Sequence, residues 1–150
     1  MPVRAAPVCV LDASVAGGWI FPAQNTSYKK AVLAAITQAS ALVPALWHIE
    51  IANMLVKKIK VGQLSQPAIE PLLSYVDGLS LVTEELEMTQ AARAKIWTVK
   101  AQVLVAIKHG LTSYDAAYLA LAMRSGLPLA TTDEALMQAA KRSGIPIFQP

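Results

Sequence analysis

Ten acidic side chains punctuate the chain, and six of them have ordinary solvated surroundings. The other four stand in apolar company at element ends. Asp12 follows the run Val8-Cys9-Val10-Leu11, Glu50 lies inside an apolar helical stretch, Asp115 opens another helix, and Asp133 comes just after Leu127-Pro-Leu-Ala-Thr131. Two carboxylates brought to about 4 Å repel by roughly 4 kcal/mol at an effective dielectric of 20, so a converging set demands bound positive charge. An all-oxygen site suits Mg²⁺ or Mn²⁺, hard cations that keep several waters and engage phosphates. The corresponding chemistry is attack on a phosphodiester by a metal-activated water, with the leaving oxygen stabilised as well.

Each acid also has a plain structural reading. Asp133 suits a helix N-cap, Asp115 the third-position acid of a capping box begun by Thr112, Glu50 a half-exposed helix position, and Asp12 the turn from strand to loop. Together these readings must explain four separate coincidences. The neighbouring polar residues fit a supporting role. Ser14 stands two residues beyond Asp12, and Glu50, Asn53 and Lys57 share one helix face at i, i+3 and i+7. On that face Asn53 is expected to hold the Glu50 carboxylate while Lys57 reaches a phosphate. Thr131 and Thr132 precede Asp133 and either orient it or simply end a strand and cap a helix. His48 and His109 have no partners at metal-ligand spacing, and Trp19, Trp47 and Trp97 read as core or interface residues.

The elements that must position these side chains alternate between strand and helix. Val8 to Leu11 is a short, continuous apolar run suited to a strand covered on both faces. A helix is expected over Ser27 to Ala39, a strand over Ala41 to Val43, and a helix from Pro44 to Gly62 carrying Leu46, Ile49, Ala52, Leu55, Val56 and Ile59 at helical spacing. Ser65 to Val76 reads as a helix capped by Ser65 with Pro67 in its first turn, and Leu79 to Val82 as a third strand. Thr83 with Glu84, Glu85 and Glu87 begins a helical region running to His109. A helix from Ala116 to Ser125 follows the Thr112 capping box and closes at Gly126. Leu127 to Thr131 is a fourth strand, Asp133 to Arg142 the last helix, and Gly144 to Phe148 an edge strand tolerating Pro146. Such alternation predicts an α/β fold with a mostly parallel sheet covered by helices on both faces. In such a sheet, sites lie beyond the carboxyl ends of the strands, so Asp12 and Asp133 are expected at one edge.

At 150 residues and 16.0 kDa the chain is a single domain with room for a sizeable core. With 55% hydrophobic and 15% charged residues, disorder, acidic tails and fibrous repeats are excluded, and burial of apolar surface in a partner is expected. The net charge of +3 permits a polyanionic partner without demanding one. No run approaches the roughly 20 apolar residues of a membrane span. Arg4 followed by Ala5 to Val10 resembles the start of a secretory signal, but Asp12 interrupts it too early. The lone Cys9 reads as a small buried strand residue, consistent with a reducing, cytoplasmic compartment.

Four blocks, in order, resemble the PIN-domain ribonucleases, and more narrowly the VapC toxins of toxin–antitoxin pairs. They are Val10-Leu-Asp12-Ala-Ser14-Val, Val43-Pro-Ala-Leu-Trp-His-Ile-Glu50-Ile-Ala-Asn53-Met-Leu, Gly110-Leu-Thr-Ser-Tyr-Asp115-Ala-Ala-Tyr-Leu-Ala-Leu-Ala122, and Leu127-Pro-Leu-Ala-Thr131-Thr-Asp133. The resemblance spans Val10 to Phe148 and implies a three-layer α/β/α fold and Mg²⁺- or Mn²⁺-dependent endonuclease action on RNA. It also implies a homodimer, and inhibition by a cognate antitoxin whose C-terminal segment enters the active-site groove. It places Asp12, Glu50, Asp115 and Asp133 on the family's acidic positions, with Ser14, Asn53 and Thr131 on supporting ones. Two alternatives stand beside it. A haloacid-dehalogenase-type phosphatase also puts Asp after its first strand, but needs a second Asp where this chain has Ser14. A non-enzymatic protein-binding module would keep the fold without metal affinity.

Overall fold

A computed structural model of the chain describes residues 5–84 and 99–150. Its centre is β1 (Pro7–Leu11), whose Cys9, Val10 and Leu11 are fully buried, as expected of a strand covered on both faces. β2 (Ser40–Val43) pairs with one side of β1 and β3 (Leu81–Thr83) lies beyond it, while β4 (Leu129–Ala130) pairs with the other side. The order β3-β2-β1-β4 is parallel at every pairing among the described residues. Val10 is in register with Leu42 on one side and Leu129 on the other.

The chain therefore leaves β1 toward β2 and β3, and later returns to β1's opposite side with β4. The gap between β1 and β4 is a topological switch point, where open α/β sheets form their crevices. A backbone bond from Asp12 N to Ala130 O, 2.9 Å, extends the ladder one residue past both strands and fixes Asp12 at the mouth of that gap.

Seven helices among the described residues complete the α/β/α layers. They are α1 (Ala13–Ile20), α2 (Ser27–Gln38), α3 (Leu46–Lys60), α4 (Ile69–Asp77), α5 (Val99–His109), α6 (Ser113–Ser125) and α7 (Glu134–Arg142). None of them is long and apolar enough to cross a membrane. Helix α1 carries no legible stripe in the sequence, because nearly every one of its residues is buried and a helix apolar all round shows no periodicity. Its Gly18 is required by close packing, since a Cβ there would run into the Lys29 side chain and the Gln24 carbonyl.

The expected helix capped by Ser65 is corrected. Ser65 makes no side-chain cap bond, a 3-10 turn spans Gln66–Ala68, and the α-helix starts at Ile69. The expected strand at 127–131 contracts to two residues. The edge segment pairs through a single parallel bridge between Leu129 and Ile147, where Pro146, having no N–H, contributes only its carbonyl to Leu129 N. The third strand shifts to Leu81–Thr83. Of the helical region begun at Thr83, Glu85, Glu87 and Trp97 lie outside the described residues. Trp19 and Trp47 are core residues, and the Trp19 indole donates to Lys29 O at 2.7 Å.

Candidate active site

Asp12 ends β1 and stands at the N-cap of α1, yet its carboxylate makes no cap bond. Instead Oδ2 accepts from two hydroxyls, Ser14 Oγ at 2.6 Å and Thr131 Oγ1 at 2.7 Å. Thr131 follows β4 and is itself buried, at 1% exposure. Its oxygen also accepts from Asp133 N at 3.0 Å, while Ser14 Oγ accepts from Thr132 N at 3.2 Å. Two hydroxyls thus tie the ends of β1 and β4 together around one carboxylate.

Each of the other three acids is anchored from its own element. Glu50 projects from α3, and its Oε2 accepts from the hydroxyl of Tyr118 on α6, a fully buried side chain. Asp115 sits in the first turn of α6. There the N-cap Thr112 accepts from Asp115 N at 3.1 Å and donates back to Asp115 Oδ2 at 2.7 Å. Asp133 is the N-cap of α7, accepting from Leu136 N through Oδ1 at 2.8 Å. The structural readings of Asp115 and Asp133 are therefore correct, and they do not compete with a place in the cleft.

All four acids line one cleft of about 270 Å³ together with Ser14, Asn53 and Lys57. Each commits one carboxylate oxygen to the protein. The second oxygens, Asp12 Oδ1, Glu50 Oε1, Asp115 Oδ1 and Asp133 Oδ2, have no hydrogen-bond partner among the described residues. No Lys or Arg forms an ion pair with any of the four among the described residues. As they stand, no three His, Cys, Asp or Glu side chains among the described residues are gathered closely enough to hold a metal ion.

Asp12, 5% exposed, has its pKa pushed up by burial, pulled down by its two hydroxyl donors, and raised again by Asp115 and Asp133. Burial likewise raises Glu50, against the Tyr118 bond, with Asp12 and Asp115 adding to the rise. The Tyr118 hydroxyl is driven far above its ordinary value, first by burial and then by Glu50, so it stays protonated and serves as a fixed donor. Cys9, buried in β1, has its thiol raised to about 12 and is inert.

The expectation that Asn53 holds Glu50 is corrected, since Tyr118 does so and Asn53 is exposed at the cleft rim. Tyr118 carried a weak sequence signal. A tyrosine inside the apolar run Ala116 to Ala122 must be buried, and a buried phenol needs a partner. His48 bonds Thr83 at 2.9 Å, and His109 ends α5.

Comparisons with known proteins bear on the family and the fold. The PIN domain family model matches residues 9–142. Ribonuclease VapC3 of Pyrobaculum aerophilum is 30% identical over 132 residues, covering 86% of this chain and 92% of the relative. The crystal structure of PAE2754 from Pyrobaculum aerophilum matches with a TM-score of 0.62 at 25% identity, over 89% of this chain and 86% of that one.

Proposed function

The chain belongs to the PIN-domain family, and from that premise we propose that it is a metal-dependent endoribonuclease, the toxin of a toxin–antitoxin pair acting in the cytoplasm. One observation carries the reading: four carboxylates from four elements line one cleft, each anchored through one oxygen and each keeping the other uncommitted. Capping explains the anchored oxygens of Asp115 and Asp133 but gives no reason for all four acids to line one cleft.

The donor set fits a hard divalent cation, being all oxygen and carrying an excess of negative charge that one exposed ammonium, Lys57, does not balance. Asp12, Glu50, Asp115 and Asp133 would hold the ion, whose charge would offset their mutual repulsion. Mg²⁺ or Mn²⁺ bound there supplies a water of lowered pKa and Lewis acidity at the phosphate.

The chain's own residues do the rest. Ser14 and Thr131 keep Asp12 in one orientation, Tyr118 keeps Glu50 in place, and Thr112 keeps Asp115 facing the cleft. Because burial raises the pKa of Asp12 and Glu50, their ionised forms are costly until positive charge arrives. Lys57 meets a substrate phosphate as a point charge. Ser14, whose hydroxyl is engaged by Asp12, stands where a haloacid-dehalogenase-type phosphatase needs its second Asp, which disfavours that reading.

The test is cleavage of structured RNA by the purified chain freed of any antitoxin, with Mg²⁺ or Mn²⁺ and with chelator. Cleavage that stops on chelation is expected, and equal cleavage in both conditions would refute the mechanism. A metal-induced rise in melting temperature separates the enzyme from a non-enzymatic binding module. The same reading includes a homodimer and an antitoxin complex, both of which cover apolar surface. Light scattering that gives only the 16.0 kDa monomer at micromolar concentration would count against the dimer.

A further inference from the structure

Beside the acidic cleft runs a second groove of about 470 Å³, and the two share Glu50 and Asn53 of α3. Its walls are Ile49, Ala52 and Val56 from α3 and the ring of Tyr114 from the first turn of α6. These side chains are apolar yet uncovered: Ile49 is 71% exposed, Tyr114 62% and Val56 43%. Helix α3 is the divider, with Glu50, Asn53 and Lys57 toward the acids and Ile49, Ala52, Asn53 and Val56 toward the groove. Tyr114 lines the groove and its sequence neighbour Asp115 lines the acidic cleft, so the first turn of α6, like α3, borders both spaces.

We propose that this groove binds an unpaired nucleobase of the RNA next to the cleaved phosphodiester, with Tyr114 as the stacking face and Asn53 as the contact to the base edge. The proposal rests on the ribonuclease reading and assigns the part of the site that selects where the strand is cut. Unpaired RNA is recognised by stacking bases on aromatic rings and hydrogen-bonding their exposed edges. An amide offers a donor and an acceptor for that edge, and Asn53, together with Glu50, lines both spaces. A groove of this volume is the size of a small-ligand site. Its continuity with the acidic cleft means that a strand whose phosphate lies beside Lys57 and the acids carries an adjacent base into it. A protein segment is the competing occupant, and it predicts no dependence of cleavage on the base.

The test uses the full chain. Cut sites are first mapped in a mixed-sequence single-stranded RNA with Mg²⁺ or Mn²⁺. Oligonucleotides spanning a mapped site are then compared with the adjacent base intact or replaced by an abasic nucleotide, for wild type, Tyr114→Ala and Tyr114→Phe. Base–aromatic stacking converts to a loss of roughly 5- to 140-fold. Loss of the base should lower wild-type kcat/KM by that factor, mostly through KM. Tyr114→Ala should lose a similar factor on the intact RNA and little more on the abasic one, whereas Tyr114→Phe should keep wild-type behaviour. Because Tyr114 is exposed in a helix, unchanged thermal melting of Tyr114→Ala is expected. An unchanged kcat/KM and cleavage map in Tyr114→Ala would overturn the base site while leaving the ribonuclease standing, as would two losses that simply multiply. Failure of wild type to cut any RNA with either metal would overturn both.

Discussion

Replacing Thr131 by Val keeps the shape of a fully buried side chain and removes one hydroxyl that serves two bonds. It deletes the donor to Asp12 Oδ2 at 2.7 Å and the acceptor for Asp133 N at 3.0 Å. A hydrogen bond to a charged group contributes about 1.5–3 kcal/mol, and a stranded half-buried N–H adds about 1 kcal/mol. The expected cost is therefore about 3 kcal/mol in the metal-free protein at a pH where Asp12 is ionised, a large share of a typical 5–15 kcal/mol. With a urea slope of about 2 kcal/mol per molar, the unfolding midpoint falls by about 1.5 M.

The cost has a predictable pH dependence. Burial raises Asp12 above its ordinary 3.8, whereas the Thr131 bond lowers it. In wild type the raised pKa contributes stability that is complete below pH 3.8 and is lost as pH rises through the folded value. Removing Thr131 raises that value further, so the mutational cost grows over the same rise in pH. Below pH 3.8 Asp12 is neutral and the lost bond is an ordinary one, making the cost about 1 kcal/mol smaller. Above the raised folded value, Asp12→Asn should shrink the cost of Thr131→Val by a similar amount, a coupling that a double-mutant cycle reads directly. Urea unfolding of the four proteins in chelator, at pH values stepped upward from near pH 3.5, decides it. A cost below about 0.5 kcal/mol, the size of an ordinary surface change, or a cost independent of both pH and Asp12, would refute this account of the site.

Asp133→Asn preserves the N-cap, Asp115→Asn removes at most about 1 kcal/mol of dipole interaction, and each relieves repulsion of Asp12, so both should fold with equal or greater metal-free stability. RNA cleavage should nevertheless fall by orders of magnitude and metal-induced thermal stabilisation should shrink. Full activity in both variants would overturn the site assignment. Tyr118→Phe keeps the buried ring but releases Glu50, so its metal affinity by thermal-shift titration should fall while the far-ultraviolet circular dichroism stays unchanged. Unaltered metal affinity would show that Glu50 needs no anchor.

Local chemistry alone determined much of this protein. The apolar run through Leu11, the amphipathic spacing of α3 and the capping pattern at Thr112 depend on neighbours in sequence, and each formed where sequence placed it. The four acids stood out for the same reason, because a carboxylate in apolar company is unusual wherever the chain later goes. Helix α1 was hidden, because a helix buried on all sides has no polar face to give it a period. The length of β4 was equally hidden, since it depends on how far β1 and the segment around Ile147 offer partners. Only tertiary structure could replace Asn53 with Tyr118 as the holder of Glu50. Residues seven or fewer apart on one helix can be judged from spacing, whereas a bond between residues 50 and 118 exists because α3 and α6 meet. The anchoring of Asp12 by Thr131 is of the same kind. It joins positions 119 apart in sequence, and it forms because the sheet order places β4 beside β1 at the switch point.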